Sequence, residues 1–145
     1  MMFVERRRTR RHIRIQWVWG MTIYIVDDSR PVQSRLMEML HDIDGICTIR
    51  TAESVCDVDY ELEDLQPDVI ILDIRLKLGL GFDVLQMLRR LPCYPLTIVL
   101  TNYGTPQYKK RALNLGAHYF FDKSEEFEKV EQVIKDYVCR SLENG

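Results

Sequence analysis

Five polar residues close, or nearly close, short apolar runs in this chain. Asp27 and Asp28 follow IYIV (23–26), Asp73 follows VIIL (69–72), Thr101 follows LTIVL (96–100), and Lys123 stands just past HYFF (118–121). If those runs are strands of one parallel sheet, three carboxylates, a hydroxyl and an ammonium converge on one edge. Carboxylates crowded within ~4 Å repel by about 4 kcal/mol per pair at an effective dielectric near 20. Oxygen ligands at a polar rim suit Mg2+, which keeps several waters and takes phosphate oxygens beside them. Phosphoryl transfer asks a protein mainly for alignment and for cancellation of charge on the moving group. In that chemistry Asp73 is the nucleophile that would become an aspartyl phosphate. Asp27 and Asp28 would hold the metal, Lys123 would balance the remaining charge, and Thr101 would hydrogen-bond a phosphoryl oxygen. Taken singly, Asp27-Asp28 could cap a first helix, Thr101 could cap a fourth, and Lys123 could face water. The joint pattern, each residue in order at the end of a run, is what singles them out.

The elements that must position these residues are legible in the apolar pattern. The runs 23–26, 46–49, 69–72, 96–100 and 118–121 are short, rich in β-branched and aromatic residues, and bounded by turn signals. They predict buried strands of a parallel sheet. Between them, Val32, Leu36, Met39, Leu40 and Ile43 share one face of a first helix, with Pro31 in its opening turn. Val55, Val58, Leu62 and Leu65 predict a second helix, and Phe82, Leu85, Met87, Leu88 and Leu91 a third, stopped by Pro92. A fourth starts near Pro106 and closes at Gly116. A fifth is expected over roughly 124–140, burying Phe127, Val130, Val133, Ile134 and Tyr137, with Glu125 and Glu126 at its positive end. Strands alternating with helices imply right-handed crossovers and helices on both faces of the sheet. Ligands of such sheets bind outside the carboxyl ends of the strands, where the five polar residues stand.

At 145 residues, with 46% apolar and 29% charged residues, the chain has the size and composition of one globular domain. No run approaches the ~18 apolar residues of a membrane-spanning helix, so no membrane insertion is expected. The four cysteines are scattered without zinc or redox spacing, and are expected to be buried thiols of a cytoplasmic protein. Residues 1–20 hold six arginines and one glutamate, whereas the rest holds 14 basic and 21 acidic side chains. The expected division is therefore a basic leader over 1–20, either disordered or lying ahead of a true start at Met21, and a domain over 21–145. Clustered arginine is also what phosphate contact requires. Without a groove-reading helix or an aromatic platform, nucleic acid is not the expected partner.

The stretches IYIVDDS, DVIILDIRL, TIVLTN and YFFDKS resemble the response-regulator receiver domain of two-component signalling, over about residues 22–140. The resemblance implies a flavodoxin-like (βα)5 fold, a doubly wound five-stranded parallel sheet. It implies that Asp73 is the phosphoacceptor, fed by a histidine kinase or a histidine phosphotransfer protein with Mg2+. Asp28 then matches the direct metal ligand, Asp27 one acting largely through water, and the backbone carbonyl of Arg75 the third protein ligand. Thr101 and Phe120 stand where the family keeps its switch hydroxyl and switch aromatic. Three positions depart from the family pattern. Lys77 stands where proline is usual after the acceptor, within a glycine-containing loop. Ser124 follows Lys123 where the family has a cis proline, which leaves the geometry of that bond open. Asn102 and Tyr103 follow Thr101 where small residues are common, and their bulk is expected to slow the entry of water and lengthen the phosphorylated lifetime.

The fifth helical pattern ends about five residues before the chain does, which suggests a stand-alone receiver. Such a receiver is a switch, not an enzyme, beyond its own phosphorylation and dephosphorylation. Its output would be contact with a downstream protein of unknown identity. Tyr103, Tyr108, Lys109, Lys110 and Arg111 offer a basic, tyrosine-bearing surface for an acidic partner, or simply a solvated helix face. A homodimer through that face stays open. The alternative is a phosphate-independent binding module of the same fold.

Overall fold

The computed structural model describes residues 20–144. The leader expected over 1–20 thus lies, but for Gly20, outside the described residues. The apolar runs form β1 (Met21–Val26), β2 (Ile46–Ala52), β3 (Val69–Leu72), β4 (Leu96–Thr101) and β5 (Tyr119–Asp122). All pairings are parallel, and the strand order is β2-β1-β3-β4-β5. The chain leaves β1 toward one side and returns past it to β3, so the order reverses between these two strands. That reversal is the topological switch point where ligands of such sheets bind, and Asp27 and Asp28 follow one of the two strands and Asp73 the other.

Helices α1 (Arg30–His41), α2 (Val55–Leu65), α3 (Gly81–Met87), α4 (Pro106–Asn114) and α5 (Lys129–Asn144) form the crossovers. Alternate strand residues feed two separate cores. Tyr24, Val26, Ile70, Leu72, Val99 and Phe120 pack with Val58 and Leu62 of α2, Phe82 and Leu85 of α3 and Ala112 of α4. Ile23, Ile25, Val69, Ile71, Ile98 and Leu100 pack with Leu36 and Leu40 of α1 and Val130, Ile134 and Val138 of α5. Burying a strand on both faces removes each aliphatic side chain from water, about 1.5–3 kcal/mol apiece before entropy is counted. That is why these strands read as unbroken apolar runs and not as alternating ones.

Several boundaries differ from the sequence reading. β2 runs on to Ala52 because its ladder with β1 continues to the Val26–Ala52 pair. α3 stops at Met87 and is finished by a 3-10 turn over Leu88–Arg90. The fifth helix begins at Lys129, not near Ser124. Asp122 Oδ1 accepts the N–H groups of Ser124 (2.7 Å) and Glu125 (3.1 Å), and Glu126 Oε1 accepts the N–H of Asp122 (3.0 Å). These side-chain bonds hold the chain in turns, so Glu125 and Glu126 precede the helix and Glu131 is the acid of its first turn. The cysteines are free, but Cys56, Cys93 and Cys139 are exposed and Cys47 half-buried, contrary to the expected burial. No peptide bond among the described residues is cis, so Lys123–Ser124 is trans.

Candidate functional site

Local sequence decides where each helix starts, and so what is left free for the site. Ser29, not an aspartate, is the N-cap of α1: its Oγ accepts the Val32 N–H at 3.3 Å, with Pro31 in the first turn. Likewise Thr105, not Thr101, caps α4 through the Tyr108 N–H at 3.1 Å. Asp27, Asp28 and Thr101 are thereby free of capping duty. Asp27 and Asp73 continue the sheet by one residue each, through Asp27 N–H to Ala52 O and Asp73 N–H to Val26 O, both 3.0 Å. Gly81 lets α3 start close by. A Cβ there would lie 2.3 Å from the Asp73 carbonyl oxygen, where no side chain fits.

Lys123 does not face water. Its ammonium lies 2.7 Å from Asp73 Oδ2 and 2.8 Å from Asp27 Oδ2, with all three side chains under a tenth exposed. The other oxygens are also engaged: Asp73 Oδ1 accepts the Ile74 N–H at 2.7 Å, and Asp27 Oδ1 the Ser29 N–H at 2.8 Å. Burial pushes the Asp27 carboxyl above its ordinary value, more than the hydrogen bonds from Lys123 and Ser29 pull it down. Burial also pulls the Lys123 ammonium down, but its bonds and charge interactions with Asp27 and Asp73 win, and its pKa stands above the usual lysine value. The ammonium is thus held charged between two carboxylates at a place where the sheet ends.

Thr101 is wholly buried, and its hydroxyl oxygen accepts the Tyr103 N–H at 3.1 Å, leaving the hydroxyl proton for another acceptor. Phe120 is buried in the core on the α2–α4 side of the sheet. Asp28, the next residue after Asp27, is exposed. Arg75 pairs with Leu80 in an isolated antiparallel bridge. The bonds flanking it run from Gly81 N–H to Ile74 O (2.6 Å) and from Leu76 N–H to Gly79 O (3.3 Å). Arg75 is therefore the non-hydrogen-bonded member, and the bridge does not consume its carbonyl. Its guanidinium lies over the Tyr103 ring, 4.5 Å from the centroid.

This donor set fits Mg2+. The Asp27 and Asp28 carboxylates and the Arg75 carbonyl, which the bridge does not use, would make a sparse all-oxygen set of the kind Mg2+ takes when it retains several waters.

The proposed partner surface divides. Tyr103, Lys109, Lys110 and Arg111 are exposed, but Tyr108 is half-buried with its ring edge-on to Phe82 (5.4 Å, 89°). The Arg111 guanidinium also lies over Phe82, at 4.2 Å. Tyr108 and Arg111 thus help to fix α4 against α3. Two residues near the site escaped the sequence reading. Gln33 is buried and its Nε2 donates to the Asp27 carbonyl at 2.6 Å, which holds the acidic turn in place. A glutamine on the apolar face of α1, four residues past the capping serine, was its only signal. Glu53 carried none.

The fold is a doubly wound, flavodoxin-like sheet with a lysine-bridged pair of aspartates at its carboxyl edge. The chain belongs to the response regulator receiver domain family, whose model matches residues 23–135. It is therefore a signalling domain of the two-component type. The sensory transduction protein LytT of Enterococcus faecalis is 31% identical over 115 residues, which span 79% of this chain and 47% of that protein. The uncharacterized transcriptional regulatory protein YvfU of Bacillus subtilis is 28% identical, spanning 80% and 58%. The chain thus covers about half the length of these relatives. Among solved structures, the signal receiver domain of a DNA-binding response regulator from Colwellia psychrerythraea superposes with a TM-score of 0.74 at 26% identity, covering 82% of this chain and 98% of that one. A second receiver domain, that of a putative Luxo repressor from Vibrio parahaemolyticus, gives 0.75 at 22% identity over 86% and 95%, which bears on the fold alone. No helix among the described residues is long and apolar enough to cross a membrane.

Proposed function

We propose that this chain is a phosphorylation-switched receiver that takes a phosphoryl group on Asp73 from the histidine of a kinase or phosphotransfer protein. The observation that carries this reading is the buried ion triad of Asp27, Lys123 and Asp73 at the carboxyl edge of the sheet. A carboxylate oxygen of Asp73 attacks phosphorus, the P–O bond forms, and the P–N bond to the donor imidazole breaks with its electron pair going to nitrogen. Lys123, already within 3 Å of Asp73, balances charge on the phosphoryl oxygens. Thr101 donates its free hydroxyl proton to one of them. Asp27, Asp28 and the Arg75 carbonyl would hold Mg2+, which would supply charge neutralisation for the transferring group. Recruiting Thr101 draws on its β4–α4 loop and makes room for Phe120 to shift. The signal then reaches the face formed by α4, β5 and α5, where a downstream protein or a second copy of the chain docks. The exposed free thiols accord with a reducing cytosol.

Beryllofluoride with Mg2+ mimics an acyl phosphate and tests this reading without a partner. Amide spectra of the chain should shift at Thr101, Phe120 and along β5 when both are added, and not in Asp73→Asn. A folded chain whose spectrum ignores beryllofluoride would return the phosphate-independent binding module.

A further inference from the structure

Lys77 takes the place of a proline in the loop after Asp73, and other bonds hold that loop instead. Residues 75–80 fold back as a miniature hairpin across the Arg75–Leu80 bridge, with Gly79 at a φ of +103° that favours glycine. The hairpin tip lies against the loop between β2 and α2. Lys77 N–H donates to Glu53 O at 3.3 Å, and Val55 N–H donates to Leu78 O at 3.2 Å. The Glu53 carboxylate then divides between two cations. Oε1 accepts from Lys77 Nζ at 3.2 Å and Oε2 from Arg30 Nε at 3.1 Å. Arg30 opens α1, two residues past Asp28. One side chain, itself a quarter exposed, therefore joins the segment that carries Asp27 and Asp28 to the segment that carries the Arg75 carbonyl. The lysine bond first, then the arginine, hold its carboxyl below the ordinary glutamate range.

We propose that Glu53 is a positioning residue for magnesium. Through Arg30 and Lys77 it fixes the spacing between the two halves of the metal site, doing with charge what proline does with covalent stiffness. The inference rests on the reading of Asp27, Asp28 and Arg75 as the metal-holding group.

A simple field effect would also let Glu53 favour a cation, and Lys77 separates the two explanations by sign. Removing a positive charge near a cation site strengthens binding if only the field matters. Removing a brace weakens it. Calorimetric titration of the full chain with Mg2+ at low ionic strength, where such pairs are least screened, should show Lys77→Met binding about three- to fivefold more weakly, the scale of an exposed pair. Glu53→Gln should match it, the double variant should be no worse than the weaker single one, and Lys77→Arg should restore parental affinity. Exchange of the Lys77 and Val55 amides should quicken in Lys77→Met. Parental or tighter Mg2+ binding by Lys77→Met overturns the brace while leaving the phosphorylation reading intact. A folded parent that binds no Mg2+ overturns both.

Discussion

Tyr103 is fixed at both ends, its N–H on the Thr101 hydroxyl and its ring beneath the Arg75 guanidinium. Those contacts join the loop that follows Asp73 to the β4–α4 loop, and an exposed ring in that place would narrow the path of water to an acyl phosphate on Asp73. Hydrolysis needs a water in line with the P–O bond to Asp73, so bulk there slows it by denying position. Tyr103→Ala should shorten the phosphorylated lifetime several-fold, and Asn102→Ala to a smaller degree, followed by mass after the phosphodonor is removed. Unchanged decay in both would contradict this. Asp27, Asp73 and Lys123, which the structure brings together, were readable because they close, or nearly close, apolar runs. Gln33 and Glu53 were not, because their roles depend on backbone partners and on ion pairs between segments far apart in the chain.

The five strands and the helices between them were legible because buried parallel strands give dense β-branched runs and helices give a 3.6-residue stripe. The start of α5 was not. Asp122 and Glu126 bind backbone N–H groups across residues 122–126, and that competition with the helix leaves no mark on the apolar stripe. β1 is also tied to α2 through a buried tyrosine. Tyr24 is wholly buried, with its hydroxyl 2.5 Å from Glu61 Oε1 on α2. Burial first, then the Glu61 bond and charge, push its pKa well above the usual tyrosine value. The unfolded chain therefore loses this proton first, near pH 10. The Tyr24 contribution is complete below about pH 10 and lost as the pH rises past it. Tyr24→Phe should cost about 1 kcal/mol at neutral pH and flatten the fall of denaturant-measured stability above about pH 10. An equally steep fall in the variant would place that pH dependence elsewhere.

Across the whole molecule, one edge of the sheet gathers the chemistry, and an acidic body surrounds it. From Met21 onward acidic side chains outnumber basic ones, 21 to 14. Within that field Lys123 is the ammonium shared by Asp27 and Asp73. Family membership follows from the match over residues 23–135. The use of Asp73 is the central proposal. Intact mass after incubation with phosphoramidate, with and without Mg2+, on the parent chain and on Asp73→Ala, tests it most directly. The parent should gain one phosphoryl group, and only with both Mg2+ and Asp73 present. An adduct that persists in Asp73→Ala or without Mg2+ would contradict it.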